Sequence, residues 1–145
     1  MMNNYDALKL ENQLCFPLYA CSREIIKLYK PFLNKIDLTY TQYITLMVLW
    51  DIEEITVKEL GKKLYLDSGT LTPLLKKLES KGLVKRKRSE KDERIMIITI
   101  TEEGKKLKEK AVDIPKGVFC ETHLDREDAM ILKEYLNKLL QKIDK

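Results

Sequence analysis

The stretch from Asp67 to Ile100 constrains this chain more than any other. It opens on Asp67-Ser68-Gly69-Thr70, a run of cap and turn formers. Leu71, Leu74, Leu75 and Leu78 then recur at i, i+3, i+4 and i+7, which predicts one apolar face of a helix over about 67–81. Gly82 stops that helix, because glycine reaches the left-handed conformation needed just past a C-terminus. Val84 to Arg88, the polar run Ser89 to Arg94 and the β-branched run Ile95 to Ile100 then predict strand, charged hairpin tip and strand. The spacing therefore predicts a groove-sized helix backed by a β-wing.

Charge singles out the same unit. Lys76 to Arg94 holds nine Lys/Arg against four Asp/Glu, a local net of +5, whereas the whole chain is +4 and the remainder sums to −1. A basic patch confined to one helix-and-hairpin unit is the footprint of a polyanion partner, and double-stranded DNA fits that shape better than a merely solvated lysine-rich hairpin. At 145 residues with 44% hydrophobic and 34% charged residues, the chain suits one domain with a real core. No apolar run approaches the ~18 residues a membrane span needs. Met1-Met2-Asn3-Asn4-Tyr5-Asp6 lacks the marks of a secretory signal. A cytoplasmic protein with no membrane partner is expected, with Cys15, Cys21 and Cys120 reduced and free for chemistry.

Along the chain, Leu10, Leu14, Leu18, Cys21, Ile25 and Leu28 form an apolar stripe that predicts a helix from about Asp6 to Pro31, kinked at Pro17 beside Cys15. A second helix is expected from about Thr41 to Asp51, with Tyr43, Met47 and Trp50 inward. Thr56-Val57-Lys58-Glu59 has the form of a capping box and starts a short helix ending near Leu64. With the 67–81 helix it makes a helix-turn-helix. Thr101-Glu102-Glu103-Gly104 begins another helix, to about Val112. Ile114-Pro115-Lys116-Gly117 is expected to break or bend it, with Val118-Phe119-Cys120 following as a short apolar segment. A last helix after Asp125 carries Leu132, Leu136, Leu139, Leu140 and Ile143 on one side.

The expected fold is mainly α with a small β-wing (α+β), a winged helix-turn-helix in a single domain over 1–145. Residues of about 39–101 would read DNA, and helices of about 6–36 and 105–145 would build a two-fold dimer. One small lobe cannot cover the apolar stripes of both terminal helices, and a second copy can. Two half-sites one DNA turn apart then predict an inverted-repeat operator. Ser68, Gly69, Thr70 and Thr72 form a small, polar helix start suited to phosphates and base edges. Pro73 lies several residues past the Asp67 cap, so either the first turn is irregular or the regular helix begins nearer Thr72. Lys76, Lys77, Lys85, Arg86 and Arg88 are candidates for phosphate neutralisation. Asp92 and Arg94, two apart and on one face if extended, let the carboxylate aim the guanidinium into the minor groove.

Cys15 falls on the first helix near the expected dimer seam, with Tyr19, Tyr29, Tyr40 and Tyr43 in or just after that helix. Most free cysteines are small core residues. Phenolic donors aimed at a sulfur instead stabilise its thiolate, which a peroxide oxidises to a sulfenic acid and then a disulfide. Tyr29 is 14 residues on, about 21 Å along the axis, so only a partner packed antiparallel can bring it to Cys15. Cys120 is available as a resolving thiol from the other subunit, and Cys21, on another helical face, reads as structural.

The chain resembles the MarR-family winged-helix regulators, most closely their organic-hydroperoxide-sensing repressors. The resemblance runs nearly end to end and rests on Leu10-Glu11-Asn12-Gln13-Leu14-Cys15-Phe16, Tyr40-Thr41-Gln42-Tyr43, Leu66 to Lys77 and Asp92-Glu93-Arg94. It implies a homodimeric repressor that leaves its operator when an organic hydroperoxide oxidises Cys15, with no cofactor. It also implies Tyr29 and Tyr40 as hydrogen-bond partners across the dimer, Tyr19 as a lesser one, and Arg94 as the wing-tip residue. If Cys120 resolves Cys15 the crosslink joins subunits; otherwise a low-molecular-weight thiol forms a mixed disulfide.

Three other functions fit parts of the sequence. A thiol peroxidase needs an activating arginine and a recycling partner, but Arg23 is eight residues from Cys15 and there is no C-x-x-C, so no enzyme is expected. Cys120-x-x-His123 supplies too few ligands for a metal sensor. A related repressor answering other thiol oxidants, electrophiles or a phenolic ligand at the seam is the remaining alternative.

Overall fold

In the computed structural model, residues 3–144 are described; positions 1, 2 and 145, inside the expected single-domain span, lie outside them. Ten regular elements follow two short 3₁₀ turns, Asn4–Leu8 and Leu10–Asn12. They are α1 (Cys15–Asn34), α2 (Tyr40–Ile52), β1 (Glu54–Thr56), α3 (Val57–Leu64) and α4 (Ser68–Ser80). The wing strands β2 (Val84–Arg88) and β3 (Met96–Ile100) come next, then α5 (Glu102–Ala111), α6 (Ile114–Thr122) and α7 (Arg126–Ile143). No helix among the described residues is long and apolar enough to cross a membrane.

The first helix starts nine residues later than its apolar stripe suggests. Gln13 Nε2 donates to the carbonyls of Ala7 and Lys9, and Asn12 Nδ2 to that of Asp6, each at 2.7 Å, folding the leading segment into tight turns. Pro17 therefore falls in the first turn of α1, where its missing N–H would have had no partner, and the kink expected there has no cause. At the other end the chain leaves α1 through Asp37 at φ +54, then Thr39 and Gln42 cap α2 reciprocally. Tyr43 is buried and Trp50 half-buried, its indole donating to the Gly104 carbonyl at 2.8 Å. Met47, expected inward, is exposed.

The helix-turn-helix forms on its caps, although the capping box expected at Thr56 is only half made, with no return bond from the Thr56 amide to Glu59. Thr56 accepts from the Glu59 amide, Tyr65 turns the chain in the left-handed region, and Asp67 accepts from the Thr70 amide at 2.9 Å. Leu71, Leu74, Leu75 and Leu78 are all buried. Pro73 lies inside α4, which is helical from Ser68 onward, so neither an irregular first turn nor a later start holds. The bond it cannot donate into the ladder would have gone to the carbonyl of Gly69, an exposed residue open to solvent. Gly82 at φ +76 closes the helix: its N–H reaches the Glu79 carbonyl and that of Leu83 reaches Leu78.

The sheet has order β1-β3-β2, antiparallel throughout. Sequence reasoning missed β1, whose Glu54, Ile55 and Thr56 pair with Thr99, Ile98 and Ile97. Flanked on both edges, β3 is the central strand, which accounts for its mostly apolar run, interrupted only at Thr99. The expected break at Pro115 is instead the start of α6, with proline in its first turn. Gly117 lies so close to α1 that a Cβ there would come within 2.5 Å of the Phe32 ring.

Candidate nucleic-acid interface and thiol site

The exposed face of α4 presents Ser68, Gly69, Thr70, Thr72, Pro73, Lys76 and Lys77 to solvent. Hydrogen bonding to Thr70 holds the Asp67 carboxyl below the usual carboxylate range, so the cap stays charged and accepting. Thr72 Oγ1 donates to the Ser68 carbonyl at 2.8 Å, which spends its proton inside the helix and leaves an acceptor facing out. Lys85 projects exposed from β2.

Three wing arginines have different duties. Arg86 Nε and Nη2 reach Glu79 Oε1 at 3.2 and 3.1 Å, bracing the wing on α4 and drawing the Glu79 carboxyl below its ordinary pKa. Arg86, expected as a free phosphate-neutralising cation, is a strut first. Arg88 donates to the Glu93 carbonyl and ties the tip shut. Arg94 Nε and Nη2 grip the two Asp92 oxygens at 3.1 and 3.2 Å while the side chain stays 91% exposed. The pairing expected from strand alternation exists, but its cause is a turn: Asp92 Oδ1 also accepts the Arg94 amide at 3.0 Å. That grip keeps the Asp92 carboxyl below its ordinary range. A concave surface between α3, α4 and the wing gathers Lys58, Lys62, Ser68, Thr72, Arg88 and Arg94. Lys58 and Lys62 were missed; their i, i+4 spacing, on the face away from buried Leu60, was the available signal.

The thiol site divides between the two ends of α1. Cys15 is its first residue and is exposed in the single chain. One turn on, the Tyr19 hydroxyl accepts from Arg23 Nη1 at 2.9 Å. At the far end Tyr29 stacks on Tyr40 with ring centroids 4.9 Å apart, and Tyr43 joins at 5.8 and 6.3 Å. Burial, reinforced by Tyr40 and Tyr43, pushes the Tyr29 phenol up to about 12. Tyr40 and Tyr43 are raised as well, chiefly by burial, so all three keep their protons and remain donors at neutral pH. Cys120 sits in the last turn of α6, three residues past the Gly117 contact with Phe32. Phe32 is about 26 Å along α1 from Cys15, far beyond the ~7 Å Cα separation a disulfide spans. Cys15 and Cys120 of one chain therefore do not meet. Cys21, read as structural, is exposed and belongs to no core cluster.

A helix-turn-helix with a braced wing and a cationic concave face defines a winged-helix transcriptional regulator. The family model "Transcriptional regulator SarA/Rot" matches residues 27–111. The organic hydroperoxide resistance transcriptional regulator of Bacillus subtilis is 55% identical over 141 residues, covering 97% of this chain and 96% of that one. The regulator SarZ of Staphylococcus saprophyticus is 49% identical over 133 residues, covering 92% and 91%. Among solved structures, AbfR, known from Staphylococcus epidermidis, matches in its reduced, DNA-bound form with a TM-score of 0.77 at 34% identity, covering 99% of this chain and 100% of that one. Its disulfide form matches with 0.64 at 36% identity, covering 93% and 95%. The chain belongs to the MarR-type winged-helix transcriptional regulators.

Proposed function

We propose that this protein is a homodimeric repressor that holds an inverted-repeat DNA operator and releases it when an organic hydroperoxide oxidises Cys15. The observation that carries the reading is the split thiol site. Cys15 stands about 21 Å along α1 from a cluster of protonated phenols, a distance that an antiparallel second copy closes. The terminal spans 6–36 and 105–145 then serve as dimer helices, and 39–101 as the reading lobe. A regulator named for organic hydroperoxide resistance at 55% identity, and a relative seen both on DNA and as a disulfide, support it.

The chemistry follows from the donors. The Cys15 thiolate attacks one peroxide oxygen, the O–O bond breaks, and the leaving alkoxide takes a proton to become an alcohol. Cys15 is left as a sulfenic acid. Tyr29 and Tyr40 of the other copy stabilise the thiolate and hold the peroxide, with Tyr19 assisting from the same chain. A second thiol then attacks the sulfenic sulfur and water leaves. That thiol is Cys120 of the other copy or a low-molecular-weight thiol, never Cys120 of the same chain. On DNA, Ser68, Gly69, Thr70 and Thr72 enter the major groove. Lys58, Lys62, Lys76, Lys77, Lys85 and Arg88 meet phosphates, and Asp92 aims Arg94 at the minor groove. The protein acts where the chromosome lies, in the cytoplasm.

Operator binding before and after cumene hydroperoxide tests the reading. Wild type should release the duplex and Cys15→Ser should not, with salicylate inert on both. A peroxide response that survives Cys15→Ser overturns it. On non-reducing gels, a crosslinked dimer lost in Cys120→Ser identifies the resolving thiol.

A further inference from the structure

The sensor and the groove-reading helix are separate elements, so something must join them. We infer that Lys81 is that joint: a positioning residue that makes the recognition helix follow the turn between α1 and α2. The inference rests on the reading of Cys15 as the sensor.

Lys81 is the residue that ends α4, immediately after Ser80. Its ammonium donates to the Asp37 carbonyl and to Gln42 Oε1 (3.1 Å), and lies 3.6 Å from Asp37 Oδ2. These acceptors are the skeleton of the α1–α2 turn. Asp37 occupies the left-handed region at φ +54. Gln42 is 3% exposed, and the same Oε1 also accepts the Thr39 amide at 3.1 Å to cap α2. Among the described residues, Lys81 makes the only side-chain hydrogen bonds between this turn and α4.

The sensing phenols straddle the same turn. Tyr29 comes from α1, Tyr40 is the first residue of α2, and their rings stack across the gap. Tyr40 directly follows the Thr39 cap, so displacing its ring by an enlarged, oxidised sulfur moves Thr39 and Gln42 with it. The leucine contacts between α2 and α4 are apolar and non-directional, and tolerate small sliding. An ammonium held by three oxygens has a fixed position, and carries the displacement into the C-terminal end of α4. The other end of that helix, about 20 Å away, is the one in the groove.

A lysine at a helix C-terminus also suits the helix dipole. A purely capping role would weaken DNA binding equally in both redox states, whereas a joint changes their ratio. The experiment measures operator affinity by fluorescence anisotropy for the full-length dimer, reduced and after cumene hydroperoxide, in wild type, Lys81→Met and Lys81→Arg. Thiol loss at Cys15 is followed in parallel. Lys81→Met should oxidise at the wild-type rate yet lose about tenfold of the reduced-to-oxidised affinity ratio, and Lys81→Arg should recover it. Lys81→Gln, a milder loss, carries the same expectation if Lys81→Met does not fold. A wild-type ratio in Lys81→Met or Lys81→Gln overturns the inference while leaving the sensor intact. A wild type that ignores peroxide overturns the sensor reading itself, and the joint with it.

Discussion

The lobe that reads DNA and the helices that flank it solve the same problem in different ways. Among the described residues, every one of the seventeen buried hydrophobic residues lies between Leu33 and Val118. Within that span amphipathic helices close on each other and on β3, and the core is complete in one chain. Outside it the apolar faces are just as long but mostly uncovered: α7 buries no residue, and α1 buries only Leu33, with Leu28, Tyr29 and Phe32 partly buried against the core at its C-terminal end. Leu10, Leu14, Phe16, Met130, Leu132, Tyr135 and Ile143 stay exposed. A helix that is amphipathic yet uncovered is half of an interface. The contrast also separates the two halves of the proposed switch, since Cys15 belongs to the uncovered part and α4 to the closed part.

Two substitutions strain that contrast hardest. Leu132→Glu puts a charge on the uncovered face of α7, where it leaves the single-chain core untouched. It should give a monomer by sedimentation and weaken operator binding roughly a hundredfold, because two linked half-sites become one. A dimer that survives would erase the distinction. Leu78→Ala, at a fully buried site in α4, should cost about 3 kcal/mol in urea unfolding. That loss should not depend on protein concentration. Leu132→Ala should lower stability only at concentrations where the dimer is populated, and not once dilution has dissociated it.

The closed lobe was also the legible one. Its elements declare themselves locally: leucines at helical spacing, Asp67 and Thr56 as caps, Gly82 as a stop. What escaped had non-local causes. β1 has one apolar residue in three and is a strand only because β3 offers it an edge. Pro115-Lys116-Gly117 looks like a break; its proline suits a helix start, and its glycine is required by Phe32, 85 residues earlier. The same division runs through the site. Asp92 and Arg94 were visible together because one turn holds both, whereas the Arg86 brace and the Lys81 joint link different elements. Charge counting read Arg86 as free for that reason.

Tyr29 sits on the border between the two regions and supports the smallest prediction. Its phenol is raised from the ordinary 10.0 to about 12 by burial against Tyr40 and Tyr43, all of it within one chain. Below pH 10 the residue is protonated folded and unfolded, so its full contribution is present. Above pH 10 the unfolded chain loses the proton first while the folded chain retains it. Stability therefore drains away as pH climbs from 10 towards 12. Thermal unfolding across that window should fall less steeply for Tyr29→Phe than for wild type. Equal slopes would mean that the phenols are not held by the closed lobe, and that their protonation depends instead on the second copy, on the uncovered side of the comparison.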